Sequence, residues 1–256
     1  MLWPHQAQVR SHAVPLLILA ATGTALATGL GAVPVFFMGR RAAAWQPALW
    51  GLAAGVMAVA SIVGLLQPAL DEGSLVAVGA GVAAGTAFLV VTRVALSSAH
   101  PHVGQLRGAD VRTSILVFGV LFVHSLPEGF AIGTAYASET AGLGLFVILA
   151  IALQNIPEGT SVAIPMADAG FSRRQQFWAA VATSAPQPVG AAVAFALVET
   201  VSGLLAVSFA FAAGAMLSLV IAELLPRTLA PGGWHGPIGL LGGAGVMLGL
   251  SAALGV

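Results

Sequence analysis

The chain has 256 residues, 58% hydrophobic and 7% charged, with a formal net charge of zero. Soluble domains carry about 25% charged residues, so this composition excludes a water-facing surface, and its neutrality points to no nucleic-acid partner. It contains neither Lys nor Cys, which excludes disulfides and thiolate metal sites.

A spanning helix needs about 20 apolar residues. Eight such runs lie near 13–37, 48–68, 74–96, 113–136, 141–166, 176–198, 202–225 and 236–255. The first is longer than the apolar core of a signal peptide and is read as a span. Short connections hold most of the Gly, Pro and charge, so the pattern predicts one all-α transmembrane domain over 1–256.

Positive charge is retained on the cytoplasmic side of a membrane. Arg40 and Arg41 fall in the first connection, and Arg93, Arg107 and Arg112 flank or fill the third. Arg173 and Arg174 fall in the fifth, and Arg227 in the seventh. Only Arg10, in the N-terminal tail, falls on the other face, with the acidic Asp71, Glu72, Glu139 and Glu199. The odd connections are therefore expected in the cytoplasm and both termini outside. Trp45, Trp50, Trp178 and Trp234 fall near the cytoplasmic span ends, where an interfacial aromatic belt is expected.

The second and seventh runs echo one another. Ala53-Ala54-Gly55-Val56-Met57 precedes Leu65-Leu66 and Pro68, and Ala212-Ala213-Gly214-Ala215-Met216 precedes Leu224-Leu225 and Pro226. These runs cross in opposite directions, as in an inverted repeat, a recurrent transporter architecture. Similarity between Ala/Gly-rich helices is the competing explanation.

Three carboxylates stand out inside the runs: Glu128, Glu158 and Glu223. A charge at the bilayer centre costs at least ~2.5–3.5 kcal/mol. No run contains an Arg at comparable depth, which leaves a metal ion or a proton to neutralise them. The fourth run reads His124-Ser125-Leu126-Pro127-Glu128-Gly129 and the fifth Gln154-Asn155-Ile156-Pro157-Glu158-Gly159. Residues four apart share a helix face, so His124 pairs with Glu128 and Gln154 with Glu158, with Asn155 leaning to the same side. Each Pro removes a backbone donor, an irregularity tolerated where the helix lines a cavity or is buried in protein. Each Gly admits a neighbouring helix.

Imidazole with carboxylate suits zinc and its first-row neighbours, whereas magnesium and calcium prefer oxygen shells. A transporter of divalent ions needs no more than such a site. An intramembrane metallo-enzyme could use the same ligands, but no His-Glu-x-x-His motif is present. A metal sensor without transport is the third reading.

At these motifs the chain resembles the ZIP (Zrt/Irt-like) family of metal transporters, close to its small bacterial branch. Thr183-Ser184-Ala185-Pro186-Gln187-Pro188-Val189-Gly190 is similar to the family's sixth helix. Ala213-Gly214-Ala215-Met216 with Glu223-Leu224-Leu225-Pro226 is similar to its seventh, and Ala54-Gly55-Val56-Met57 with Pro68 to its second. The resemblance implies a multi-pass protein of a bacterial inner membrane that moves zinc inward, or iron, manganese or cadmium, as substrate and without an organic cofactor. Whether it assembles as a homodimer in the lipid bilayer stays open.

The resemblance also implies eight helices arranged 3+2+3, with helices 1–3 (about 13–96) and 6–8 (about 176–255) as the inverted repeat around helices 4–5 (about 113–166). By position, a first metal would meet Met57, His124, Glu128, Gln154 and Glu158. A second would meet Ser125, Glu128, Asn155, Glu158 and Gln187. Glu223 would line the exit path and Asp71 the entrance. Ser125 stands where the family usually has Asn, and Asn155 and Gln187 are neutral where some relatives carry acids. The second position is therefore expected to bind weakly or not at all. His100-Pro101-His102, in the third connection, is a thin version of a metal-collecting loop, or simply a solvated one.

Overall fold

A computed structural model describes residues 4–98, 109–138, 140–201, 203–230 and 233–256. His100, His102, Arg107 and Glu139 lie outside the described residues, and Arg10, Arg40 and Arg112 are described in backbone only. The described chain is all helix, without a strand.

Among the described residues, eight helical stretches are long and apolar enough to cross a membrane. They are Val14–Met38, Arg41–Glu72, Leu75–Ala95, Val117–Ala137, Leu143–Asp168, Arg173–Thr200, Leu204–Thr228 and His235–Leu254. The protein is a multi-pass membrane protein. Each expected run is present. The second span begins earlier than the apolar pattern suggested, because a 3-10 turn over Gly39–Trp45 leads into the helix Gln46–Ser61.

Helix-on-helix pairing follows the small residues. The second span packs on the eighth, the third on the seventh, the first on the fifth and the fourth on the sixth. Lipid gives helices no hydrophobic reason to associate, so close backbone approach supplies the attraction. The two Pro-Glu-Gly glycines carry this role. A Cβ on Gly129 would stand 2.2 Å from the carbonyl oxygen of Gln187 on the sixth span. One on Gly159 would stand 1.7 Å from that of Thr28 on the first. The two motifs thus clamp different partners in the same way.

Two spans are interrupted. The first pauses between the helices Pro4–Leu30 and Val33–Met38, and the sixth between Arg173–Thr183 and Pro186–Thr200. Both breaks lie inside the protein, where freed backbone groups can find partners. Thr160 donates to the Gly31 carbonyl at 2.7 Å, and the hydroxyls of Thr28 and Ser184 meet at 2.6 Å. The second and seventh spans instead widen into π-helical turns, Ile62–Leu66 and Val220–Leu224. Pro68 and Pro226 follow these turns. A proline forces off the carbonyl four residues earlier, here Gly64 and Ala222, and a π-bulge absorbs the misfit.

Candidate metal centre

The fourth and fifth spans bring their motifs face to face in the middle of the bundle. His124, Ser125, Glu128, Gln154, Asn155 and Glu158 are all buried, and so is Gln187 from the sixth span. Glu128 is the hub. One carboxylate oxygen accepts from Gln154 Nε2 at 2.7 Å and the other from Gln187 Nε2 at 2.7 Å. The Glu128 and Glu158 carboxyls lie within interacting reach of each other.

A second layer of amides holds this hub. Gln187 Oε1 accepts from the Thr24 hydroxyl at 2.8 Å and from Asn155 Nδ2 at 3.2 Å. Asn155 Nδ2 also donates to the Thr24 carbonyl at 2.7 Å. Ser125 donates to the Leu121 carbonyl one turn back at 3.0 Å. Of the expected second-position ligands, Asn155 and Gln187 thus bond one another and the first span, Gln187 also holds Glu128, and Ser125 donates to its own helix.

Two acceptors are left over. His124 Nε2 and Gln154 Oε1 are buried without a hydrogen-bond partner. Buried polar atoms are nearly always paired, so two orphans beside two buried carboxylates mark a place built for something else. Among the described residues, no three His, Cys, Asp or Glu side chains are gathered in a geometry ready to grip an ion. Gln154 presents its NH2, not its oxygen, to the Glu128 carboxylate.

His124 stands at a divide. On one side it lines a cavity of about 530 Å³ with Trp50, Glu158, Ser161, Glu223 and Arg227. This cavity lies toward the arginine-bearing span ends. On the other side it lines a chamber of about 10 Å³ with Met57, Glu128 and Met216. Met57 is wholly buried. Asp71 is exposed near the end of the second span, on the helix Gln67–Glu72, apart from the buried cluster.

Two expectations need correction. Glu223 is paired with arginine: Arg93 Nε lies 3.8 Å from one oxygen and Arg227 Nη2 3.6 Å from the other. Arg93 and Arg227 lie in the last turn of the third and seventh spans, and each reaches Glu223 along its apolar stem while about half of its side chain stays exposed. Trp50 is not part of a lipid-facing belt. Its Nε1 donates to Ser161 at 3.1 Å, and the Arg227 guanidinium sits 5.6 Å from its ring centroid. Trp45, Trp178 and Trp234 are exposed.

Thr24 and Thr28 are the site residues that sequence reasoning passed over. Their signal is present: two hydroxyls four residues apart on one face of an apolar span.

A closed bundle of apolar helices around paired carboxylates, amides and an unpartnered imidazole defines a membrane protein that handles cations. Comparison with known proteins makes this specific. The sequence profile of the family described as ZIP zinc transporters matches residues 92–251. The zinc transporter ZIPB of Bordetella bronchiseptica is 33% identical over 261 residues, covering 96% of this chain and 83% of its own. The zinc transporter GufA of Myxococcus xanthus is 32% identical over 223 residues, covering 82% and 87%. An Arabidopsis thaliana protein provisionally named a zinc transporter is 38% identical over 216 residues; the match takes 83% of this chain and 34% of that longer one. The chain belongs to the ZIP family of metal-ion transporters. Membership in a transporter family favours neither an intramembrane enzyme nor a sensor.

Proposed function

We propose that the protein carries zinc, or a related divalent transition-metal ion, into the cytoplasm through one buried position between the fourth and fifth spans. The observation that carries this reading is the pair of orphaned acceptors, His124 Nε2 and Gln154 Oε1, next to the carboxylates of Glu128 and Glu158. Met57 completes the set by its place in the chamber beside His124 and Glu128. Two carboxylates neutralise a divalent ion, and imidazole favours the first-row metals.

The path runs from Asp71 on the outer side, through this position, to Glu223 and the large cavity. The ion sheds water onto His124, Glu128, Gln154 and Glu158, and one group of helices then rocks against the other. Glu223 offers the next oxygens once an arginine yields. The membrane is the bacterial inner membrane, with both termini outside. The helix pairing supports a 3+2+3 inverted repeat. Exchanging the first span for the sixth, second for seventh, third for eighth and fourth for fifth turns each observed pair into another. The matching breaks in the first and sixth spans, and matching π-turns in the second and seventh, obey the same exchange.

The second metal position is replaced by the amide network of Asn155, Gln187 and Thr24. Zinc titrated into purified protein should therefore saturate at one tight ion per chain, and two equally tight ions would contradict this. Restoring acids with Asn155→Asp and Gln187→Glu together should add a second ion. An unchanged count in that variant would mean that neutral side chains are not what empties the position.

A further inference from the structure

We propose that Met216 is a second thioether ligand of the transported ion, making the site selective for soft divalent metals. The inference deepens the single-site reading above and rests on it. Nothing in the ligand pattern of the fourth and fifth spans assigns this residue.

The chamber beside His124 is walled by Met57, Leu89, His124, Pro127, Glu128, Ala215, Met216 and Leu219. Two methionines, Met57 and Met216, line it together with His124 and Glu128, and its small free surface is apolar. Met57 is 0% exposed and Met216 3%. A volume of about 10 Å³ matches the room one water-sized particle occupies. His124, whose Nε2 has no protein partner, borders the same space.

The two methionines occupy equivalent places. Met57 closes Ala53-Ala54-Gly55-Val56-Met57 and Met216 closes Ala212-Ala213-Gly214-Ala215-Met216. Each lies four or five residues before the π-turn of its own span. The oppositely directed helices therefore deliver one thioether each to one chamber. If Met57 can reach an ion there, Met216 meets the same requirements of burial, position and flexible reach. Three rotatable bonds let a methionine sulfur adjust to its partner without moving the helix.

Sulfur changes which ion is preferred. Thioethers are soft donors, and oxygen-seeking ions such as manganese gain little from them. Two of them beside one imidazole bias the site toward cadmium and zinc over manganese. Neither sulfur carries charge, so they add selectivity without adding to the charge that must be released. A methionine that only fills space would leave the ion's coordination sphere untouched.

Cadmium-edge X-ray absorption on the purified full-length protein, loaded with one Cd2+ per chain, counts sulfur neighbours directly. Two sulfurs are expected in the wild type, one in Met216→Leu, one in Met57→Leu and none in the double variant. Leucine nearly conserves the volume, so packing is retained. In competition uptake, preference for Cd2+ over Mn2+ should fall several-fold in Met216→Leu. A wild-type count of one or zero overturns the proposal, as does a count that Met216→Leu leaves at two. Should Met216→Leu fail to accumulate, Met57→Leu still decides, because one remaining sulfur supports Met216 and none refutes it. Failure of the single-site reading looks different: wild-type protein would bind no Cd2+, or would bind it equally well after Glu128→Ala.

Discussion

Glu128→Ala and Glu158→Ala should each reduce zinc uptake by about 100-fold or more, while the protein still inserts at wild-type levels. Replacing groups that merely support a metal ligand costs 10–100-fold in affinity or activity, so removing a charged ligand should fall at or beyond the top of that range. Both carboxylates are buried, and burial of an uncompensated charge opposes folding. Their removal therefore leaves insertion unharmed. The two variants should differ in one respect. Glu128→Ala strands the NH2 groups of Gln154 and Gln187, which both donate to that carboxylate. It should be less heat-stable in detergent than Glu128→Gln, which keeps an acceptor there yet removes the charge. Both Glu128 variants should be equally inactive. Zinc accumulation in cells, read beside the amount of protein in isolated membranes, checks this. Uptake by Glu128→Gln near the wild-type level would mean that charge at this position is not what the ion needs.

Gly159→Ala should abolish the folded protein rather than its chemistry. A Cβ at this position would lie 1.7 Å from the carbonyl oxygen of Thr28 and 3.3 Å from the Cα of Gly31. Backbone on the far side cannot swing away as a side chain tip can, so the first and fifth spans must separate. Overpacking ordinarily costs 1–3 kcal/mol, and a clash with backbone belongs at ~3 kcal/mol or above. That is a large share of the 5–15 kcal/mol by which proteins are stable. The same separation would break the Thr160 bond to Gly31 and pull Thr24 from Gln187. Gly129→Ala should behave alike, through the 2.2 Å approach to Gln187. Gly245→Ala, with nothing within 4 Å of its Cβ, is the control and should be neutral. Size-exclusion profiles in mild detergent separate these outcomes. A monodisperse Gly159→Ala protein at normal yield would contradict the packing account.

The sequence made the fourth and fifth spans legible because their constraints are local. His124 with Glu128 and Gln154 with Glu158 share faces by helix geometry alone, and the Pro-Glu-Gly pairs announce both the irregular backbone and the close packing. The eight spans were legible for the same reason, since an apolar run is a property of neighbours in sequence. What stayed hidden depends on partners far apart in the chain. Thr24 reaches Gln187 across 163 positions and Thr28 reaches Ser184 across 156; the helix face the two hydroxyls share is legible in the first span, but the partners they meet are not. Arg93 and Arg227 were placed correctly at the span ends, but charge counting treats an arginine as a point at its Cα. The length of the side chain, which brings both to Glu223, lies outside that arithmetic. Trp50 follows the same logic: position along a span does not decide whether a tryptophan faces lipid or a cavity, and packing turns this one to Ser161 and Arg227.

Purified protein in liposomes, with a zinc-sensitive dye inside and zinc added outside, tests the central claim most directly. The account predicts saturable zinc entry with no other substrate present, lost in Glu128→Gln and Glu158→Ala. Wild-type protein that binds zinc yet gives no entry above empty liposomes, or a Glu128→Gln protein that transports as fast as wild type, would contradict it.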